Sequence, residues 1–142
     1  MKSLNVFYED IRHFKIDKLL INSWTDQLIA SEGKLSGSIN IIFCSDEYLE
    51  KINREYLNHN FPTDIITFNY NDNNLISGDL FIGVNQVKLN AAEYLQNFKT
   101  ELCRVIFHGV LHLCGYNDKN KTERKIMTEM EDKYLMEFKL IN

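Results

Sequence analysis

The stretch FHGVLHLCGYND, residues 107–118, sets two histidines four positions apart in an apolar run, followed by a glycine and an aspartate. On an α-helix this spacing brings His108 and His112 onto one face, one turn apart, where two imidazoles can share a divalent ion. Gly115 tolerates positive φ and lets the chain turn sharply, so that Asp118 can return toward the same ion as a third ligand. The resulting H-x-x-x-H-x-x-G-x-x-D spacing is one used by metal hydrolases that end the motif in His or Asp. Three protein ligands leave a coordination position for water, as in a catalytic rather than a structural zinc site. The plainer alternative is an ordinary helix with two half-buried histidines; the glycine, the acid and the flanking apolar run favour the metal. The residue after the first histidine is Gly109, where an HExxH peptidase carries its general-base glutamate, so peptidase chemistry lacks its usual proton acceptor.

Elements must exist to hold these residues. LNVFYED alternates as a strand does. IDKLLINSWTDQLIASEG carries Ile16, Leu19, Leu20, Trp24 and Leu28 at helical spacing, with Gly33 as a stop. SGSINIIFCS reads as a strand. DEYLEKINREYL reads as a helix capped by Ser45 or Asp46, with Leu49, Ile52 and Tyr56 on one side. DIITFNY and GDLFIG are strands joined by the polar loop NYNDNN. Residues 85–114 read as one long helix that stops at Gly115. Residues 122–138 form a last helix, with Ile126, Met130, Tyr134 and Leu135 inward. The order β, α, β, α, β, β, α, α predicts an α+β fold: a small mixed four-stranded sheet covered by helices, with the metal site at the C-terminal end of the long helix.

The chain has 142 residues, 44% hydrophobic and 25% charged, which predicts one soluble domain spanning residues 1–142. No apolar run is long enough to cross a bilayer and the start lacks the blocks of a signal peptide, so the expected location is cytoplasmic, with no membrane partner. Cys44, Cys103 and Cys114 are too scattered for a disulfide framework and read as small buried hydrophobes. A net charge of −4 argues against nucleic-acid binding through global charge but leaves room for local patches. The clearest is KNKTERK, where Lys119, Lys121, Arg124 and Lys125 also fit a solvated helix start.

HGVLHLCGYND resembles the H-G-x-L-H-L-x-G-Y-D-H signature of the YbeY family, zinc-dependent endoribonucleases of ribosomal RNA maturation. The match runs through His108, Gly109, Leu111, His112, Leu113, Gly115 and Tyr116. NREYLNHNFPTDIITF resembles a second family block through Asn53, Tyr56, Pro62, Thr63, Asp64 and Phe68. GDLFIG matches a third through Gly78, Asp79 and Ile82, and Glu123, Met127 and Glu131 keep the spacing of the family's closing helix. The sequence departs from the family at two site positions. Asp118 stands where the family has its third metal-binding histidine, with Asn117 in place of the preceding aspartate. A carboxylate still ligates zinc, although it makes a weaker Lewis acid and makes manganese more plausible. Leu57 replaces an arginine that would neutralise charge on phosphoryl oxygens.

The resemblance implies a single-strand-specific endoribonuclease acting at the 16S ribosomal RNA 3′ end and in ribosome quality control. It implies one zinc per chain on His108, His112 and Asp118, and RNA or ribosomal subunits as partners. The ion would polarise a phosphoryl oxygen, activate water, or both. Asp64 is a candidate proton acceptor, unless Thr63 or Asp64 simply hydrogen-bonds the loop after Pro62. Glu101, seven residues before His108, could meet a ligand histidine's other ring nitrogen or face solvent. Arg54, His59, Arg104, Lys119 and Lys121 are candidate RNA contacts, the first three also standing in for the missing arginine. Tyr8, Tyr48, Tyr70 and Phe61 could stack on bases or belong to core and rim. Tyr116 reads as packing. Two other functions compete: a non-catalytic RNA-binding ribosome-assembly factor, and a hydrolase of small phosphorylated or amide substrates.

Overall fold

The protein is described by a computed structural model covering residues 4–57 and 63–142. The elements are β1 (Leu4–Glu9), α1 (Lys18–Ser31), β2 (Leu35–Cys44), α2 (Asp46–Leu57), β3 (Ile65–Asn69), β4 (Leu75–Gly83), α3 (Val84–Glu93), α4 (Phe98–Leu113) and α5 (Lys121–Glu137). The strands form one mixed sheet in the order β1-β2-β4-β3. β1 and β4 flank β2 in parallel, with Val6 opposite Ile41 and Ile41 opposite Leu80. β3 closes the edge antiparallel to β4, with Ile65 opposite Ile82.

The sheet is covered on both faces, and β2 shows why. Its alternate residues Ile39, Ile41 and Phe43 join the main core with Leu28 of α1, Ile106 and Val110 of α4, and Leu135 of α5. Cys44 joins a smaller cluster with Leu49 of α2 and Ile66 of β3. A strand buried on both faces reads as a nearly continuous apolar run, as INIIFC does. All of Ile39, Ile41, Phe43 and Cys44 are fully buried. No helix among the described residues is long and apolar enough to cross a membrane.

The expected long helix over residues 85–114 is two helices. α3 ends at Glu93, and Leu95 adopts φ +54, so that its amide and that of Gln96 bond back to Ala92 and Ala91. Asn97 then starts α4, its side chain accepting from the Thr100 amide at 2.7 Å. Glycine usually marks such a left-handed stop; here a leucine, 91% exposed, does the work and leaves no glycine signal. The inward faces also need correction. Leu28, Leu49, Tyr134 and Leu135 are buried, but Leu19, Tyr56 and Ile126 are exposed, and Met127 takes the inward place beside Ile126.

α4 carries both histidines, and its seat on the sheet depends on Gly109. A Cβ there would lie 2.7 Å from Ile65 Cδ1 and 2.9 Å from Leu80 Cδ2. The glycine therefore lets the helix approach β3 and β4 closely, placing His108 and His112 near the β3 edge. Any side chain at that position, a peptidase-type glutamate included, would have to displace the ends of Ile65 and Leu80.

Candidate metal centre

α4 ends in a tight C-terminal motif. Gly115 has φ +112, its amide bonds to the His112 carbonyl at 3.0 Å, and the Tyr116 amide bonds to the Leu111 carbonyl at 3.0 Å. Asn71, in the β3–β4 hairpin, donates from Nδ2 to the Leu113 carbonyl at 2.7 Å, pinning the same helix end to the sheet. α5 begins just beyond. Asn120 accepts from the Glu123 amide at 2.8 Å, and Glu123 Oε1 accepts from the Lys119 amide at 2.9 Å. Asp118 is held between these two fixed ends.

The side chains converge as their spacing predicts. His108 Nε2 and His112 Nε2 each lie 3.2 Å from Asp118 Oδ2. The three ligand atoms fall within 4.8 Å of one another, a group that can hold a metal ion. The other ring nitrogens fix the tautomers. His112 Nδ1 lies 2.8 Å from the Tyr116 carbonyl, which can only accept, so Nδ1 carries the proton and Nε2 presents its lone pair. His108 Nδ1 lies 2.6 Å from Glu131 Oε2 and donates to that carboxylate. Two imidazole lone pairs and a carboxylate aimed at one point repel one another unless a cation or proton joins them. The donor set N, N, O with both histidines oriented from behind fits a divalent metal.

Electrostatics agree. Burial alone would lower the pKa of His108, but the hydrogen bond and charge of Glu131, with the charges of Asp118 and Asp64, outweigh it and raise the value. The surroundings thus favour positive charge at this point.

Sequence reasoning missed Glu131 as the partner of His108. Glu131 is buried and is itself gripped by Arg104, whose Nη1 lies 3.0 Å from Glu131 Oε1 while Nη2 lies 2.7 Å from Asp132 Oδ1. Glu101, proposed for that role or for solvent, does neither. It is 3% exposed, and burial raises its pKa. Tyr116 does more than pack: its hydroxyl donates to Glu32 Oε1 at 2.8 Å, and Tyr134 donates to Glu32 Oε2. Glu32 at the end of α1 therefore anchors the residue whose carbonyl orients His112.

The histidines and Asp118 open into a cavity of about 600 Å³, also lined by Asn53, Leu57, Asp64 and Lys119. Asp64 stands at the start of β3. It accepts from Asn90 Nδ2 of α3 at 3.0 Å, and burial raises its pKa despite the nearby His108 charge. Thr63 donates to the Ile65 carbonyl at 3.2 Å. Lys119 reaches the cavity, whereas Lys121 starts α5 at the exposed surface. Arg54 pairs with Glu50 at 3.5 Å on the exposed side of α2 and is not among the cavity's lining residues. Arg104 is committed to Glu131 and Asp132 beside a separate cavity. His59 and Phe61 lie outside the described residues. Tyr8 donates to the Phe14 carbonyl, Tyr48 stacks on Phe81, and Tyr70 is exposed near Asp79.

Known proteins are similar to this chain over most of its length. Residues 7–139 match the family model described as Endoribonuclease YbeY. The Endoribonuclease YbeY of Parabacteroides distasonis is 46% identical over 129 residues, which is 91% of each chain. That of Flavobacterium johnsoniae is 46% identical over 136 residues, covering 95% of this chain and 96% of its own. A solution structure of a Thermotoga maritima protein aligns with a TM-score of 0.66 at 27% identity, covering 96% of this chain and 89% of that one. Together with the match over the histidine-bearing helix and the loop that follows it, these likenesses show that the chain belongs to the endoribonuclease YbeY family.

Proposed function

We propose that residues 1–142 act as one zinc-dependent, single-strand-specific endoribonuclease in the cytoplasm, working on ribosomal RNA at the 16S 3′ end and in ribosome quality control. The observation that carries this reading is the convergence of His108 Nε2, His112 Nε2 and Asp118 Oδ2 at the mouth of an open cavity. When bound, a single divalent ion supplies Lewis acidity toward a phosphoryl oxygen and lowers the pKa of water. Zinc suits the two imidazoles; the carboxylate also admits manganese.

The chain's own groups perform the rest. Glu131 and the Tyr116 carbonyl keep both rings turned with Nε2 into the cavity, so no reorganisation is needed when a ligand arrives. Asp64 lines the same cavity with its proton affinity raised by burial, which suits it to take a proton from water or from a ribose 2′-hydroxyl. Asn90 holds that carboxylate in place. Lys119 offers positive charge to a phosphate at the rim, where Leu57 offers none.

The test is cleavage of a labelled unstructured RNA and of a matched duplex by the purified, zinc-loaded protein. Cutting of the single strand alone is expected, with loss of cutting in Asp64→Asn by about 100-fold or more. Binding of RNA with no cleavage under any divalent metal would favour the assembly-factor reading, which Leu57 and Asp118 motivate. Turnover of small esters alone would favour the small-substrate hydrolase.

A further inference from the structure

A second cavity of about 600 Å³ lies off the carboxyl ends of β1 and β4, between the segment that follows β1 and the first turn of α3. Arg12, His13, Lys15 and Lys88 line it over a floor of Phe14 and Phe98, and no acidic residue is among its lining residues. Arg12, Lys15 and Lys88 are exposed, and among the described residues none of the three is in an ion pair. In a chain of net charge −4 this is a local reversal of sign. Asp10 and Asp17, which flank the lining segment in sequence, are turned to other tasks: Asp10 accepts from Ser45 Oγ, and Asp17 caps α1 by accepting from the Leu20 amide. Unpaired cations around a concave apolar floor form a site for an anion that also carries apolar faces.

This cavity and the metal cavity are connected through α3 and α4. Asn85 and Lys88, three residues apart on one side of α3, face the basic cavity, while Asn90 on the opposite side bonds Asp64 in the metal cavity. α3 thus stands between the basic cavity and Asp64, and a helix with its side chains is about 10 Å across. Along α4, Phe98 of the basic cavity and His108 of the metal centre are ten residues apart, or about 15 Å. A few nucleotides of single strand span either distance.

Resting on the reading that the substrate is single-stranded RNA, we propose that the Arg12–Lys15–Lys88 cavity binds the phosphates of the same strand a few nucleotides from the scissile bond. It supplies the cationic grip that Leu57 removes from the metal cavity itself. Contacts of this kind position a strand without reading its sequence.

Single-stranded oligothymidylate carries the phosphates without the 2′-hydroxyl, and checking that the strand stays intact separates binding from cleavage. Its binding to zinc-loaded protein is to be measured by anisotropy across a potassium chloride series, for strands of about 4 and about 12 nucleotides. We expect Arg12→Ala/Lys15→Ala/Lys88→Ala to weaken the longer strand about tenfold or more at low salt. Its log–log salt slope should flatten by about 2, at about 0.7 per lost phosphate contact. The shorter strand should be unaffected, and cleavage of a short RNA should keep its kcat. The single charge reversal Lys88→Glu should act in the same direction and guards against misfolding of the triple variant. An unchanged slope for the longer strand in both variants would overturn the proposal. Equal weakening of both strand lengths would overturn it too, as would displacement by polyglutamate as effective as by the longer strand, which would assign the cavity to an acidic protein segment. If the wild type shows the length dependence but cuts no RNA, the catalytic reading fails and the basic site stands.

Discussion

At the scale of single residues, the two histidines present equivalent Nε2 atoms but are oriented differently. His112 leans on a backbone carbonyl, which no substitution of its own side chain can remove. His108 leans on Glu131, which is buried and locked by Arg104. Glu131→Gln keeps an acceptor of the same shape but removes the charge. We expect zinc affinity to fall by about 10- to 100-fold with little change in the circular dichroism spectrum, as read by competition with a chromogenic chelator. Asp64 gives a pH-dependent case. Burial raises its folded pKa above the ordinary carboxylate value, so the folded chain binds the proton more tightly than the unfolded chain. Stability attributable to this group is therefore greatest below the ordinary carboxylate range and declines as pH rises through it. At neutral pH, Asp64→Asn should raise the Tm of metal-free protein by a few degrees while abolishing cleavage, and the Tm difference should shrink near pH 3. A lower Tm for the variant at neutral pH would contradict the assignment.

The elements show why part of this site was legible and part was not. The ligand histidines lie on one helix at a spacing that fixes their common face, and Gly115 marks the turn that returns Asp118; both signals are local. The groups that orient the rings are not local. Glu131 lies 23 residues from His108, and Glu32 lies 84 residues from Tyr116, so their roles depend on how α5 and α1 pack against α4. Glu101 matched the helical period but faces burial rather than the ligand. The break between α3 and α4 was hidden because Leu95, a non-glycine residue, adopts positive φ. Gly115 offers the sharper test at this scale. A Cβ there meets open space, yet φ +112 suits no L side chain. Gly115→Ala should therefore destabilise the fold by about 1–2 kcal/mol and weaken metal binding by shifting Asp118, with thermal melts and metal titration as the checks.

Across the whole molecule, the mixed four-stranded sheet was readable from its apolar strands, whereas the buried helix faces were readable only in part, since Leu19, Tyr56 and Ile126 are exposed. The cysteines were read correctly as packing groups at Cys44 and Cys103, both buried; Cys114 is only partly so. Burial pushes the Cys44, Cys103 and Cys114 thiols up to about 12. Only on the order of one thiol in 10⁴ is then ionised at pH 8, which predicts very slow reaction with a disulfide reagent in the native state. Unfolding in guanidinium should release all three thiols at once. Rapid labelling of a native thiol would show that the core is looser than its packing implies.

The central claim is that one metal ion sits among His108, His112 and Asp118. It is tested most directly by elemental analysis of protein purified without added metal, comparing the wild type with His112→Ala. We expect close to one equivalent of zinc per chain in the wild type and almost none in the variant, whose circular dichroism spectrum should be unchanged. A His112→Ala protein that kept its full complement of metal would contradict the account.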